Sequence, residues 1–418
     1  MPTSIVGETL TLLWSDLDND GWVDLIETND FAPPDVFYMN NKGVYDHPVS
    51  NTEKKFETST KTTMSVISAD LDNDLSPEIY IGEIALMGLA SDEFLEVDKD
   101  AIQICAELAS ETDRQACLNY LKLLTMDRAM KWQRKAQEIE SRSNMEFLVF
   151  LNNMRRNNLT CDDIPKEWSF LKRHCERVFN SDYNTPEKAD IKEAIPSPGL
   201  GENVLLVNDG NNRYQNKASD WGIATGGYTW NAKFADLNAD EYQDLYIVNG
   251  SHVHRTRQSN FFYINEGGNR FQNQISEYEA LNSFLATQTY TYTDIDNDGD
   301  QDIITLPVIG PAQAHFNEMK KGNVIAFELR DQMGNRYGIG SKITIHYGDS
   351  SDRHQVRELL ASGGHLSYDP YIAYFGLGNY KEVKKVTIQW STGEETQMTG
   401  PFHSGARYEV RRSDELLN

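Results

Sequence analysis

The stretch Asp16-Leu17-Asp18-Asn19-Asp20-Gly21-Trp22-Val23-Asp24 decides how this chain is to be read. Oxygen-bearing side chains stand at positions 1, 3, 5 and 9, and a glycine at position 6 lets the chain turn sharply. That spacing wraps four carboxylates about one point, where they repel strongly unless a cation sits among them. Hard oxygen donors in a flexible loop suit Ca²⁺ better than Zn²⁺ or copper. The pattern returns as Asp70, Asp72, Asp74 and Glu78, as Asp236, Asn238, Asp240 and Asp244, and as Asp294, Asp296, Asp298 and Asp302 with Gly299. These make up to four calcium sites, those at Asp16 and Asp294 being the strongest. In the second loop Leu75 replaces the glycine and Pro77 stiffens position 8, and in the third Glu241 takes the glycine's place. Weaker binding or altered geometry is expected of both.

The first positions lie 54, 166 and 58 residues apart, and removing the 109 residues 91–199 returns the middle step to 57. One period therefore runs through the chain, interrupted once. A second echo is seen in Asp35-Val-Phe-Tyr-Met-Asn-Asn-Lys-Gly-Val-Tyr45, Asn203-Val-Leu-Leu-Val-Asn-Asp-Gly-Asn-Asn-Arg-Tyr214 and Asn260-Phe-Phe-Tyr-Ile-Asn-Glu-Gly-Gly-Asn-Arg-Phe271. A short apolar run, an Asn-Gly-rich turn and a closing aromatic read as a β-hairpin. About four strands in some 55 residues is the size of a propeller blade. The fold class is mainly β, with propeller-type repeats over 1–90 and 200–322, four recognisable calcium-loop blades that leave the completeness of the ring open. An α-helical insertion fills 91–199, and a compact β domain with alternating strands follows over 323–412.

An EF-hand is the obvious rival, but it needs Glu at position 12 and helices on both sides. Only the first loop has Glu27 there; the others place Ile81, Ile247 and Thr305, and the flanks are strand-like. At this point the sequence resembles the FG-GAP/VCBS repeat family, whose calcium loops sit between blade strands of integrin-α-like propellers. The tail segments Asn335-Arg-Tyr-Gly-Ile-Gly340, Ala361-Ser-Gly-Gly-His-Leu-Ser367, Phe375-Gly-Leu-Gly378 and Val386-Thr-Ile-Gln-Trp390 resemble the ASPIC/UnbV domain. The combination is similar to the cartilage acidic protein family and its bacterial-type members. The resemblance implies an extracellular or periplasmic, calcium-binding, non-enzymatic protein. Propellers of that family have about seven blades, so four loops leave upstream blades missing, or a ring that is small, open or completed by a partner.

The composition agrees with this reading. A formal charge of −25 repels nucleic-acid phosphates and anionic lipid, so neither is an expected partner. No stretch approaches the apolar length of a membrane span, and the first residues do not form a signal segment. All four cysteines, Cys105, Cys117, Cys161 and Cys175, fall in the insertion. Reduced core thiols, a metal site and two disulfides are all open, although the spacing fits no zinc pattern. Two cysteines 12 residues apart on one helix lie about 18 Å apart, too far to bond. Pairing across helices as Cys105–Cys175 and Cys117–Cys161 is the arrangement that comes into register. Disulfides imply an oxidising compartment, in keeping with an extracellular, cell-surface or periplasmic location.

No G-x-S-x-G, H-E-x-x-H or P-loop pattern is present, and His252 and His254 lack a third ligand nearby. The expected function is a calcium-rigidified scaffold that binds another protein or a surface glycan, by itself or as a subunit of a surface assembly. The alternative is a secreted polysaccharide-active enzyme that uses clustered carboxylates for glycosidase chemistry.

Overall fold

Each acidic loop joins two antiparallel strands, and the same residue pair closes all four turns. In the computed structural model these strands are β1 (Thr9–Ser15) and β2 (Asp24–Asn29), β6 (Thr63–Ala69) and β7 (Glu78–Glu83), β10 (Thr229–Ala235) and β11 (Asp244–Asn249), and β14 (Thr287–Thr293) and β15 (Asp302–Pro307). Ser15 pairs with Asp24, Ala69 with Glu78, Ala235 with Asp244 and Thr293 with Asp302. Even the bulge recurs, between Thr9 and Thr11 and at the three equivalent places. The structure describes residues 9–29, 35–45, 55–56, 60, 62–84, 202–211, 213–249, 259–283, 287–307, 311–319, 322–332, 334–349 and 353–412. The insertion and its four cysteines lie outside the described residues.

A third strand pairs with the second in every blade: β3 (Val36–Tyr38), β8 (Val204–Asn208), β12 (Phe261–Asn265) and β16 (Gln313–His315). β9 (Tyr214–Asn216) and β13 (Phe271–Asn273) complete the middle two blades, while β4 (Asn40–Asn41) and β5 (Val44–Tyr45) form a separate small hairpin. β7 pairs directly with β8, Ile79 opposite Leu206, so the second blade is whole despite the sequence separating its strands.

Alternation along each strand gives two apolar faces, and the blades stack through them. Leu13, Ile26 and Phe37 of the first blade pack on Val66, Ile79 and Val204 of the second. Tyr80 and Leu205 meet Ala232 and Ile247 of the third, and Tyr246 and Phe262 meet Tyr290 and Ile303 of the fourth. The first strand of the first blade has no such neighbour: Leu10, Leu12 and Trp14 are about two-fifths exposed, where Val66, Ala232 and Tyr290, the counterparts of Leu12, are buried. Leu306 and Phe316 are exposed on the fourth blade. The blades form an open arc, a propeller-type array without ring closure among the described residues.

The C-terminal portion has two sheets. β17 (Val324–Arg330) lies between β20 (Ile372–Gly376) and β23 (Arg407–Arg411), and β18 (Lys342–Tyr347) lies between β19 (His354–Glu358) and β21 (Glu382–Gln389), with β22 (Glu395–His403) at the edge. Phe327, Ile343, Ile345, Phe375, Val386 and Trp390 fill the core between them. The segment between β19 and β20 reaches into the concave side of the arc. There Thr11 donates to the Gly364 carbonyl at 3.4 Å, while Asn231 and Thr289 donate to the His365 carbonyl at 3.0 and 2.8 Å. A β-carbon on Gly364 would come 1.9 Å from Asn231 Oδ1 and 3.0 Å from Ser65 Oγ. Thr11, Ser65, Asn231 and Thr289 hold the same position in the four blades, and together they surround Gly364 and the carbonyls of Gly364 and His365. The buried Lys233 donates to Asp369 at 2.6 Å and fixes the outgoing arm of this hub.

Candidate metal centres in the blade loops

The loops have one backbone. Position 4 is left-handed in each, with φ of 56° at Asn19, 62° at Asn73, 56° at Ala239 and 62° at Asn297. Position 6 follows suit at Gly21 (88°), Leu75 (73°), Glu241 (89°) and Gly299 (99°). Loops two and three therefore keep the geometry that glycine was expected to be needed for. They hold bulky residues where such residues are strained.

Position 9 ties the loop together. Its carboxylate accepts the N–H of position 2 in each case: Leu17 to Asp24 at 3.0 Å, Leu71 to Glu78 at 2.8 Å, Leu237 to Asp244 at 3.1 Å and Ile295 to Asp302 at 2.7 Å. The second oxygen accepts a hairpin asparagine N–H, from Asn40 to Asp24 (2.7 Å), Asn265 to Asp244 (3.0 Å) and Asn317 to Asp302 (2.8 Å). The same asparagines stitch neighbouring blades. Asn265 donates its amide to the Leu71 carbonyl and Asn317 to that of Leu237, while the Tyr214 hydroxyl reaches Leu17. Loop and blade interface are thus one hydrogen-bonded structure.

Three carboxylate triads converge, Asp16 with Asp18 and Asp24, Asp70 with Asp72 and Glu78, and Asp294 with Asp296 and Asp302, each offering oxygens within 4.8 Å of one another. Asp20, Asp74 and Asp298 lie outside these groups, each accepting the N–H two residues on at 2.8, 2.7 and 3.2 Å. In the third loop Asn238 replaces the second acid. Asp236 there accepts the N–H groups of Asp240 and Glu241, and Asp240 accepts that of Tyr242. Oδ1 of Asp16 and of Asp294 is buried with no donor. A buried carboxylate oxygen without a donor is costly, and a proton or a cation would satisfy its lone pairs.

The charges point the same way. Burial, reinforced by the charges of Asp18 and Asp16 and only partly offset by the Asn40 and Leu17 N–H groups, holds Asp24 at about 7. Burial raises Asp70 to about 7 against the opposing charge of Arg357, and Asp236 to about 7 with Asp240 adding. It drives Glu78 and Asp244 well above the carboxylate range and pushes Asp72, Asp240 and Asp294 up. Each group needs a proton or a metal ion to be comfortable.

Sequence reading missed the basic residues that face these loops from the C-terminal sheets. Lys342 pairs with Asp16 at 2.8 Å, the half-buried Arg357 lies near Asp70 and Asp236, and Arg353 pairs with Glu241. Lys342 and Arg357, with Glu358 and Asp369, help to line a cavity of about 160 Å³ between the arc and the C-terminal sheets. Pairings across some 300 residues leave no periodic trace. Glu27 also finds its explanation. It accepts from Thr9 at 2.6 Å on the exposed side of the first blade, where the other blades bury Ile81 and Ile247 against a neighbour.

A family model described as FG-GAP-like repeat matches residues 16–81, and one described as ASPIC and UnbV matches residues 331–415. No curated protein matches the sequence. Among solved structures, a biofilm matrix protein of V. cholerae aligns over 93% of this chain and 48% of its own, at 9% identity and a TM-score of 0.25. This chain spans about half the length of that protein. Among the described residues no helix is long and apolar enough to cross a membrane.

Proposed function

We propose that this chain, an FG-GAP repeat protein with a C-terminal ASPIC/UnbV domain, is an extracellular calcium-loaded scaffold that binds a protein or a surface glycan and catalyses no reaction. The observation that carries the reading is the convergence of acidic triads in the same frame of the first, second and fourth blades, with donorless buried oxygens on Asp16 and Asp294. Asp16, Asp18 and Asp24 would hold one ion, Asp70, Asp72 and Glu78 a second, and Asp294, Asp296 and Asp302 a third. Asp20, Asp74 and Asp298 would complete these shells. Asp236, Asn238, Asp240 and Asp244 would form a fourth, weaker site. Ions there rigidify the turns that connect the blades, and millimolar calcium outside the cell would keep them filled. The arc of residues 1–90 and 200–322, the insertion 91–199 and the terminal β portion 323–412 are its parts in this reading. Both ends of the arc expose apolar side chains, the kind of surface a partner covers.

Thermal unfolding in calcium and in chelator tests this. A ligand bound only by the folded state at a hundred times its Kd adds about 2.7 kcal/mol per site, so chelation should lower the Tm by many degrees. Identical melting curves in the two buffers would end the proposal.

A further inference from the structure

The first and fourth loops, alike in their aspartates and their glycine, differ in what stands against those aspartates. Lys342 opens β18 opposite Glu358 of β19, and both reach back to the first blade. The Lys342 ammonium donates to Asp16 Oδ2 at 2.8 Å, to the Asp16 carbonyl at 3.1 Å and to Asn19 Oδ1 at 2.5 Å. Glu358 completes the grip, accepting the Ser15 hydroxyl at 2.6 Å and the Asp16 N–H at 3.4 Å. Lys55 sits 3.3 Å from Asp18 Oδ2. One oxygen of Asp16, Oδ1, is left buried without a donor in the group with Asp18 and Asp24. Among the described residues no lysine or arginine is ion-paired with Asp294, Asp296, Asp298 or Asp302.

We propose that Lys342 is an internal counter-cation that sets the calcium affinity of the first loop below that of the fourth and links ion entry there to the grip of the C-terminal sheet. The inference rests on the calcium reading of the loops. An ion entering the first loop must share the Asp16 carboxylate with an ammonium already bonded to its other oxygen, and like charges a few ångströms apart in a partly buried site repel strongly. The fourth loop keeps its negative charge uncompensated by side chains until the ion arrives. Linkage makes the effect reciprocal, so an ion at Asp16 loosens the Lys342 contact by the factor that Lys342 weakens the ion. The first loop then fills after the fourth, and its filling reports on how the C-terminal sheet sits.

Trp22, at position 7 of the first loop, supplies a local reporter, since a bound lanthanide beside an indole luminesces when the indole is excited. Terbium bound to the full chain is displaced by calcium while the tryptophan-sensitised signal is followed, with W22F as the control that removes it. Calorimetry follows all sites together. In K342M the calcium midpoint at the Trp22 site should fall on the order of tenfold, with the remaining calorimetric sites unmoved and K342R close to wild type. Unchanged or weaker calcium binding at that site in folded K342M overturns the inference. Should K342M fail to fold, the wild type decides alone: the Trp22 site must fill after the tightest class, and filling with it or before it overturns the inference. A wild-type chain that takes up no calcium by calorimetry refutes the calcium reading itself and the inference with it, whereas calcium uptake with the wrong ranking refutes only the role of Lys342.

Discussion

Glu83→Gln should stabilise the protein at neutral pH and leave it unchanged in acid. Glu83 and Asp35 are buried, at 6% and 2% exposure, and meet over the hydroxyl of Thr63. That hydroxyl lies 2.5 Å from Asp35 Oδ2 and 2.8 Å from Glu83 Oε1, and its one proton can serve only one of them. Thr60 donates to Asp35, and Thr62 donates to the other Glu83 oxygen at 2.8 Å. In the next blades Asn203 and Asn260 stand where Asp35 does, accepting the matching N–H at 2.8 and 2.9 Å, and Asn249 stands where Glu83 does. Blade one and blade two have therefore put acids where the repeat uses amides. Burial raises Asp35 from 3.8 to about 6, and burial aided by the charge of Asp35 raises Glu83 from 4.5 to about 7. Both folded values lie above the unfolded ones, so the stabilisation they give is complete below about pH 4 and is lost as pH rises through 6 to 7. At about 1.4 kcal/mol per unit, Glu83 alone costs roughly 3 kcal/mol at pH 8, and sharing with Asp35 makes about 1–3 kcal/mol the working range. Glutamine keeps the shape and abolishes the titration. Melting followed by circular dichroism in saturating calcium, from about pH 5 to pH 8, should show the Tm of the variant higher by roughly 1–4 °C at the alkaline end. The two curves should meet in acid. A variant whose Tm falls with pH as steeply as that of the wild type would refute the reasoning.

Gly364→Ala should cost about 3 kcal/mol or more, from the φ of +75° and the overlap with Asn231, and chemical denaturation would register it as an earlier midpoint. Asn265→Ala removes a fully buried amide that ties Leu71, Gln243 and Gly268 together, and a loss of about 2–4 kcal/mol is expected in the same assay. Leu75→Gly relieves a left-handed leucine at φ 73° and should be neutral to stabilising by up to about 1 kcal/mol, against the loss expected from truncating an ordinary leucine. Equal damage from Leu75→Gly and Asn265→Ala would mean that the second loop is not strained as described.

The strands, the blade unit and the loop frame were legible because a repeat writes the same physical demand several times. Asp16, Asp70, Asp236 and Asp294 recur in phase, and the short apolar runs beside them read as strands. The EF-hand alternative failed for the reason seen in β1 and β2. Glycine at position 6 was read as a requirement of the turn, yet Leu75 and Glu241 adopt its backbone, because the position-9 carboxylate and the hairpin asparagines fix the loop from outside. The pairings of Lys342, Arg357, Glu358 and Asp369 with the blades could not be read, since each joins sites far apart in sequence through a single side chain. Gly363-Gly364-His365 was visible as a motif of the tail, but nothing in its letters says that it sits among four inner strands.

That position of Gly364 bears on how the chain is made. The inner strands run from residue 9 to residue 293, and the peptide they surround comes later than all of them. While the ribosome works through the blades, Thr11, Asn231 and Thr289 lack the Gly364 and His365 carbonyls they bind, and the arc is assembled around a gap. Such contacts of high sequence separation slow folding and lengthen the time for which apolar edges stay uncovered. Shortening the chain before residue 364 would thus leave every blade encoded and none of them anchored. A nascent chain of this kind would need chaperoning until its keystone emerges.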